Sequence, residues 1–185
     1  MKTKLRSEKK LERLSHHPDQ KKDKDILICK RLRRLSVFSH AKRILFYLPI
    51  HGEVDLSSLH KGAMHPKEFI LPRVKDERTL HLYHINGIDD VETGKYNILE
   101  PKTHLKRAKP AEIDLVLVPG VVYSKNGHRI GYGKGFYDRL LKKIKCPKIG
   151  IAYEFQMVEN IDGEPHDTPM DVIVTEKKTY HIKKP

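Results

Sequence analysis

Residues Asp114–Leu141 read DLVLVPGVVYSKNGHRIGYGKGFYDRLL. Leu115–Val118 is apolar at every position and stops at Pro119-Gly120, as a strand buried on both faces would. A polar turn follows at Lys125-Asn126-Gly127, then glycines alternate at 131, 133 and 135. From Gly133 to Lys145, Phe136, Leu140 and Ile144 recur at i, i+4 and i+8, which predicts a helix led by a glycine turn. Strand, glycine turn, helix and strand together are the grammar of an α/β fold.

Working outward, further strands are expected at Ile44–Leu48, Phe69–Pro72, Leu80–Ile85, Lys148–Tyr153 and Val172–Thr175. The runs at 114–119, 148–153 and 172–175 should be interior. Residues 4–14 can form a basic helix with Leu5, Leu11 and Leu14 as a sparse apolar side. Pro18 suits the first turn of a second helix, and Ile26, Leu27, Leu32, Leu35 and Phe38 then follow at roughly helical spacing. Residues 86–113 carry Asn86-Gly87, Gly94, Pro101 and Pro110, and read as a long irregular connection. The expected fold is one three-layer α/β domain over residues 1–185, with a central, mostly parallel sheet flanked by helices.

The 185 residues carry a formal net charge of +13, so an anionic partner is expected, whether nucleotide, poly-glutamylated cofactor, nucleic acid or acidic membrane. No apolar run is long enough to span a bilayer, and the basic N-terminus lacks the apolar stretch of a secretory signal. Two distant cysteines, Cys29 and Cys146, argue against a disulfide framework and for the cytoplasm. Twelve histidines invite a metal reading, but HExxH is absent. His81 and His84 fall in an expected strand, where that spacing separates them across two faces.

The glycine loop matches neither a Walker A loop nor a dinucleotide G-x-G-x-x-G. Alternating glycines nevertheless let backbone N–H groups approach an anion, and Arg129 and Lys134 can neutralise phosphate oxygens. Asp138 stands where a carboxylate could hold Mg²⁺ beside those phosphates, although complementing the helix dipole would explain it without a metal.

Pro119-Gly120 followed by G-x-R-x-GYGKGFYDRLL at Gly127–Leu141 closely resembles the signature of the 5-formyltetrahydrofolate cyclo-ligase family. Four more segments extend the resemblance over nearly the whole chain: the Lys2/Arg6 pair of KTKLR, ILFYLPIHGEVD at 44–55, TGKYNILEP at 93–101 and EPHDTPMDVIVTE at 164–176. Lys134 stands where many members carry glycine, and residues 76–92 align poorly, so contacts to the aminobenzoate-glutamate tail stay unassigned.

The resemblance implies a ligase that uses ATP and Mg²⁺ to convert 5-formyltetrahydrofolate to 5,10-methenyltetrahydrofolate, ADP and phosphate. It assigns ATP to Lys2, Arg6, Arg129, Ile130, Gly131, Tyr132, Gly133, Lys134, Gly135, Phe136 and Tyr137, with Arg129 and Lys134 as the catalytic cations. It assigns the folate to Leu48, Glu53, Tyr96, Tyr132, Lys134, Gly135 and Phe136. The metal falls to Asp138 and Asp167, with Asp171 as the alternative to Asp167. Glu53 suits a pterin because a carboxylate can accept from adjacent N–H donors in a bidentate pair. A monomer is expected, with no membrane or specific nucleic-acid partner. Two other readings stay open: a same-fold protein that binds a phosphorylated small molecule without folate activity, and a nucleic-acid binder suggested by the charge and by RLRRL at 31–35.

Overall fold

The computed structural model describes residues 2–60, 67–94, 97–165 and 167–183. Three helices lead the chain: α1 (Lys2–Leu14), α2 (Pro18–Arg33) and α3 (Ser36–His40). Then come β1 (Arg43–Leu45), β2 (Glu68–Val74), β3 (Leu80–Ile85), β4 (Val91–Thr93), β5 (Leu99–Pro101), β6 (Arg107–Ala108) and β7 (Leu115–Val118). β8 (Val122–Ser124) and β9 (Arg129–Ile130) precede helix α4 (Phe136–Leu141). β10 (Lys148–Ile151), β11 (Met157–Val158), β12 (Val172–Val174) and β13 (Thr179–His181) complete the chain.

The main sheet has eight strands in the order β13-β12-β10-β7-β1-β2-β3-β6. Its interior pairs, β12 with β10, β10 with β7, β7 with β1 and β1 with β2, are all parallel. The outer pairs, β12 with β13, β2 with β3 and β3 with β6, are antiparallel. The expected interior strands are therefore interior. Their side chains alternate between two cores. Ile44, Leu115, Leu117, Ile149 and Ile151 join Ile28, Leu32 and Phe38 of α2 and α3 on one face. Leu45, Val116, Val118 and Ile173 join Leu140, Leu141 and Ile144 on the other. That is the period of two acting on strands covered by helices on both sides.

Several expectations change. Residues 86–113 are not irregular throughout: β4 and β5 form a hairpin, and β6 extends the main sheet. Strands of two or three residues are too short to display a period. β13 was not anticipated, and β11, β8 and β9 form a small separate sheet. The expected glycine turn into a helix over Gly133–Lys145 is present, but α4 covers only Phe136–Leu141 of it. Its end tightens, with Lys143 N–H donating to Leu140 O and Ile144 N–H to Leu141 O, a three-residue spacing that closes the helix.

α1 departs most. Leu11 and Leu14, expected on its apolar side, are 70 % and 62 % exposed. Leu5 alone of the three packs inward, against Val121, Val122, Ile130 and Ile161. The helix docks through basic side chains instead. The guanidiniums of RLRRL are also partly spent inside the molecule: Arg31 donates to the carbonyls of Glu176 and Lys177, and Arg33 to that of Ser58.

Candidate active site

In the sheet order β1 continues to β2 on one side while its neighbour β7 continues to β10 on the other, so the connections from these two adjacent strands run in opposite directions. In open α/β sheets, ligands settle beyond the carboxyl ends of strands at such a switch point. A cavity of about 610 Å³ lies there, lined by Tyr47 and Leu48 beyond β1, Pro119 beyond β7, and Leu71, Pro72 and Val74 of β2. That volume suits a cofactor-sized ligand.

The glycine loop forms one wall. Gly133 and Gly135 have φ of 96° and 64°, a region that costs little only for glycine. Gly135 is the N-cap of α4, and a Cβ there would meet Arg139 Nη1 at 2.7 Å. The bare backbone of Gly133 faces the Arg6 guanidinium, which an added Cβ would meet at about 3.7 Å. Arg6 Nε donates to Gly131 O at 2.8 Å, so α1 is tied to the loop. Lys2 Nζ donates to Glu164 Oε1 at 2.7 Å and lies 3.9 Å from Asp167 Oδ2.

The cavity gathers Lys2, Arg6, Leu48, Glu53, Asp167 and the whole of Arg129–Asp138, every expected site residue among those described apart from the alternative Asp171. Tyr96 lies outside the described residues. Asp171 does not join them. It precedes β12, where its Oδ2 accepts from Lys148 N–H at 2.8 Å at the start of β10, the opposite end of the parallel strands. Of the two candidates for the second carboxylate, Asp167 is the one in the cavity. Its Oδ2 also accepts from Glu164 N–H at 2.9 Å, so it serves the local turn as well. Asp138 Oδ1 accepts from Arg129 Nη2 at 2.7 Å. Arg129 Nε and the Tyr137 hydroxyl are buried with no hydrogen-bond partner among the described residues.

Glu53 is presented by a tight turn. His51 and Gly52 both have positive φ, 47° and 76°. Glu53 N–H donates to Ile50 O at 3.0 Å, and Ile50 N–H returns a bond to Glu53 Oε2 at 3.2 Å. Tyr132 OH donates to Glu53 Oε1 at 2.9 Å. An ionised carboxylate has about four acceptor positions. Each Glu53 oxygen is used once by these bonds, which leaves each able to accept again. Burial raises the Glu53 pKa to about 7, against the lowering pull of the Arg13 cation and of the bonds from Ile50 and Tyr132.

Arg13 was missed in the sequence. Its side chain is 1 % exposed; Nε donates to His51 O at 2.8 Å, Nη1 to Gly120 O at 3.3 Å, and Nη2 to Tyr132 OH. A signal was available, since a helical advance of about 100° per residue puts Lys2, Arg6 and Arg13 within roughly 40° of one another. Glu100 belongs to the TGKYNILEP segment. It is buried, lines the cavity, and accepts from Val74 N–H at 3.0 Å.

Taken together, the mostly parallel sheet, the cavity at its switch point, the glycine loop flanked by cations and the buried Glu53 define an α/β protein of the class that binds its ligands beyond the carboxyl ends of the strands. The family model of the 5-formyltetrahydrofolate cyclo-ligases matches residues 1–176. The 5-formyltetrahydrofolate cyclo-ligase of Haemophilus influenzae is 32 % identical over 142 residues, covering 72 % of this chain and 76 % of its own. That of Escherichia coli K12 is 26 % identical over 170 residues, covering 88 % and 93 %. The NMR structure of the Aquifex aeolicus 5,10-methenyltetrahydrofolate synthetase superposes with a TM-score of 0.88 at 35 % identity, covering 100 % of this chain and 94 % of that one. The chain belongs to the 5-formyltetrahydrofolate cyclo-ligase family, and with the family comes 5-formyltetrahydrofolate cyclo-ligase activity, a ligase activity of folate one-carbon metabolism; membership implies that the ligase is ATP-dependent.

Proposed function

We propose that ring closure of 5-formyltetrahydrofolate takes place in this cavity, with ATP phosphates against Gly131–Gly135 and the pterin edge on Glu53. One observation carries the reading: residues from five separated sequence motifs line a single cavity. The formyl oxygen is a poor leaving group. Phosphoryl transfer to it creates phosphate, which departs when N10 attacks the formyl carbon and closes the ring, leaving ADP and phosphate as products. Such a reaction rests on positioning and charge neutralisation.

Arg129 and Lys134 neutralise the transferring phosphoryl group, while Lys2 and Arg6 hold the rest of the phosphate chain. Glu53 fixes the pterin, Leu48 packs on its ring, and Tyr132, Gly135 and Phe136 lie between the two substrates. Among the described residues no cluster of three or more His, Cys, Asp or Glu could cage a metal. Two carboxylates facing a phosphate site nevertheless suit Mg²⁺, which keeps waters and takes one or two carboxylates plus substrate phosphates. Asp138 and Asp167 would hold it, and it would supply charge neutralisation on the phosphates. The proposal includes a monomer working in the cytoplasm.

The test is spectrophotometric detection of the methenyl product from 5-formyltetrahydrofolate. Product should form with ATP and Mg²⁺ and not without ATP. ATP binding with no product would return the site to a phosphorylated small molecule of another kind.

A further inference from the structure

The Arg13 guanidinium donates to the His51 carbonyl of the turn that presents Glu53, to the Tyr132 phenol that bonds Glu53, and to the Gly120 carbonyl beyond β7. We propose that Arg13 is a positioning residue for folate recognition, bracing the His51-Gly52 turn and fixing the Tyr132 hydroxyl so that Glu53 faces the pterin as an acceptor. The proposal rests on the assignment of the pterin to Glu53.

The geometry gives Arg13 two routes to Glu53. The first is the backbone. Arg13 Nε donates to His51 O, and a Cβ on Gly52 would meet the Arg13 carbonyl oxygen at 3.3 Å, so α1 lies directly on the turn that presents Glu53. His51 is not a glycine yet holds a positive φ, so the turn needs an outside brace. The second route is the phenol. Arginine has no acceptor, so Arg13 Nη2 must donate to the Tyr132 oxygen. The Tyr132 proton is thereby left to point at Glu53 Oε1. This fixed direction suits only an oxygen that accepts. Arg13 Nη1 also lies 3.9 Å from that oxygen, the one cation paired with Glu53 among the described residues.

Few other groups bear on Glu53. Lys10, also on α1, stands 4.7 Å over the Tyr132 ring, and His51 lies 6.1 Å from that ring on the turn itself. The phenols of Tyr47, Tyr123 and Tyr137 are all pushed up by burial and by Glu53, so they stay neutral. Arg13, Tyr132 and the Ile50 N–H are what lower the Glu53 pKa against burial. Loss of the first two should move Glu53 ionisation to higher pH.

The experiment measures kcat/KM for 5-formyltetrahydrofolate against pH, with ATP affinity measured separately, for wild type, R13K, R13M, Y132F, the R13M/Y132F double variant and E53Q. Arg13→Met should lower folate kcat/KM at least tenfold near neutral pH and shift the acid limb to higher pH. Arg13→Lys should restore much of the loss, and ATP affinity should stay within about threefold. Tyr132→Phe should shift the limb the same way. The double variant should lose less than the product of the two single losses, because both act through one relay. A merely structural role would lower activity without moving the limb. Should Arg13→Met fail to fold, Arg13→Lys and Tyr132→Phe still read the limb. An unmoved limb in Tyr132→Phe, or fully multiplicative losses, would overturn the proposal. If Glu53→Gln leaves folate kinetics intact, the pterin assignment itself has failed. If Glu53→Gln is impaired and Arg13→Met is not, only the role of Arg13 is wrong.

Discussion

At the scale of single residues, the site depends on charges held in place before any ligand arrives. Asp138 and Arg129 are paired at 2.7 Å, so the loop carries its own counter-charge. Arg129→Ala should weaken ATP binding by about 1–3 kcal/mol, the cost of a lost charge-assisted contact, as read by nucleotide titration. Asp138→Asn should lower the Mg²⁺-dependent kcat more than it lowers folate affinity, because a carboxylate near the phosphates acts on phosphoryl transfer. Equal losses would return Asp138 to a helix-capping role. Glu53 also leaves a mark on stability. Its folded pKa of about 7 lies above the ordinary 4.5, so between those values the folded protein holds a proton that the unfolded chain has released. Stability from this group is full below the lower value and is lost as pH rises through the upper one. Glu53→Gln should therefore gain on wild type between pH 5 and 8, by on the order of 3 kcal/mol at about 1.4 kcal/mol per pKa unit. Parallel urea titrations of the two proteins across that range would show it.

At the scale of elements, α1 explains why part of the site was hidden in the sequence. The contiguous loop Arg129–Asp138 was legible because glycines, cations and a carboxylate fall within ten consecutive positions. Glu53 was legible because its motif surrounds it. Arg13 was not, because its role depends on which face α1 turns to the sheet, and the leucines pointed the wrong way. Leu11 and Leu14 face solvent, while Arg6 and Arg13 reach carbonyls and a phenol across the chain. Basic side chains can pack an amphipathic helix when the opposing surface offers acceptors. Leu11→Gln should accordingly change stability by no more than about 0.5 kcal/mol, as for other exposed substitutions. Arg6→Ala should weaken ATP binding at least tenfold and also cost about 1–3 kcal/mol of stability, because it removes the bond that ties α1 to Gly131. Thermal melts and nucleotide titrations on this pair decide which face of α1 is docked.

At the scale of the whole molecule, the central strands were readable because a strand covered on both faces shows as an unbroken apolar run. LVLV at Leu115–Val118 and VIV at Val172–Val174 are such runs. β13 and β6 were not, because short edge strands carry mixed residues such as Thr179, Tyr180 and Arg107 and owe their pairing to the sheet. Both apolar layers rest on the same strands. We therefore expect one cooperative unfolding transition, with calorimetric and van't Hoff enthalpies in agreement. Ile44→Ala, in a fully buried position of β1, should cost about 2–5 kcal/mol. The central claim is that one cavity binds two substrates through separate groups, phosphates on the loop and α1, pterin on Glu53. Its most direct test is a pair of titrations on Glu53→Gln, one with 5-formyltetrahydrofolate and one with ATP alone. Folate affinity should fall at least tenfold, about 1.4 kcal/mol, while ATP affinity stays near that of wild type. Weakened ATP binding with folate binding intact would place Glu53 among the phosphate groups and contradict the account.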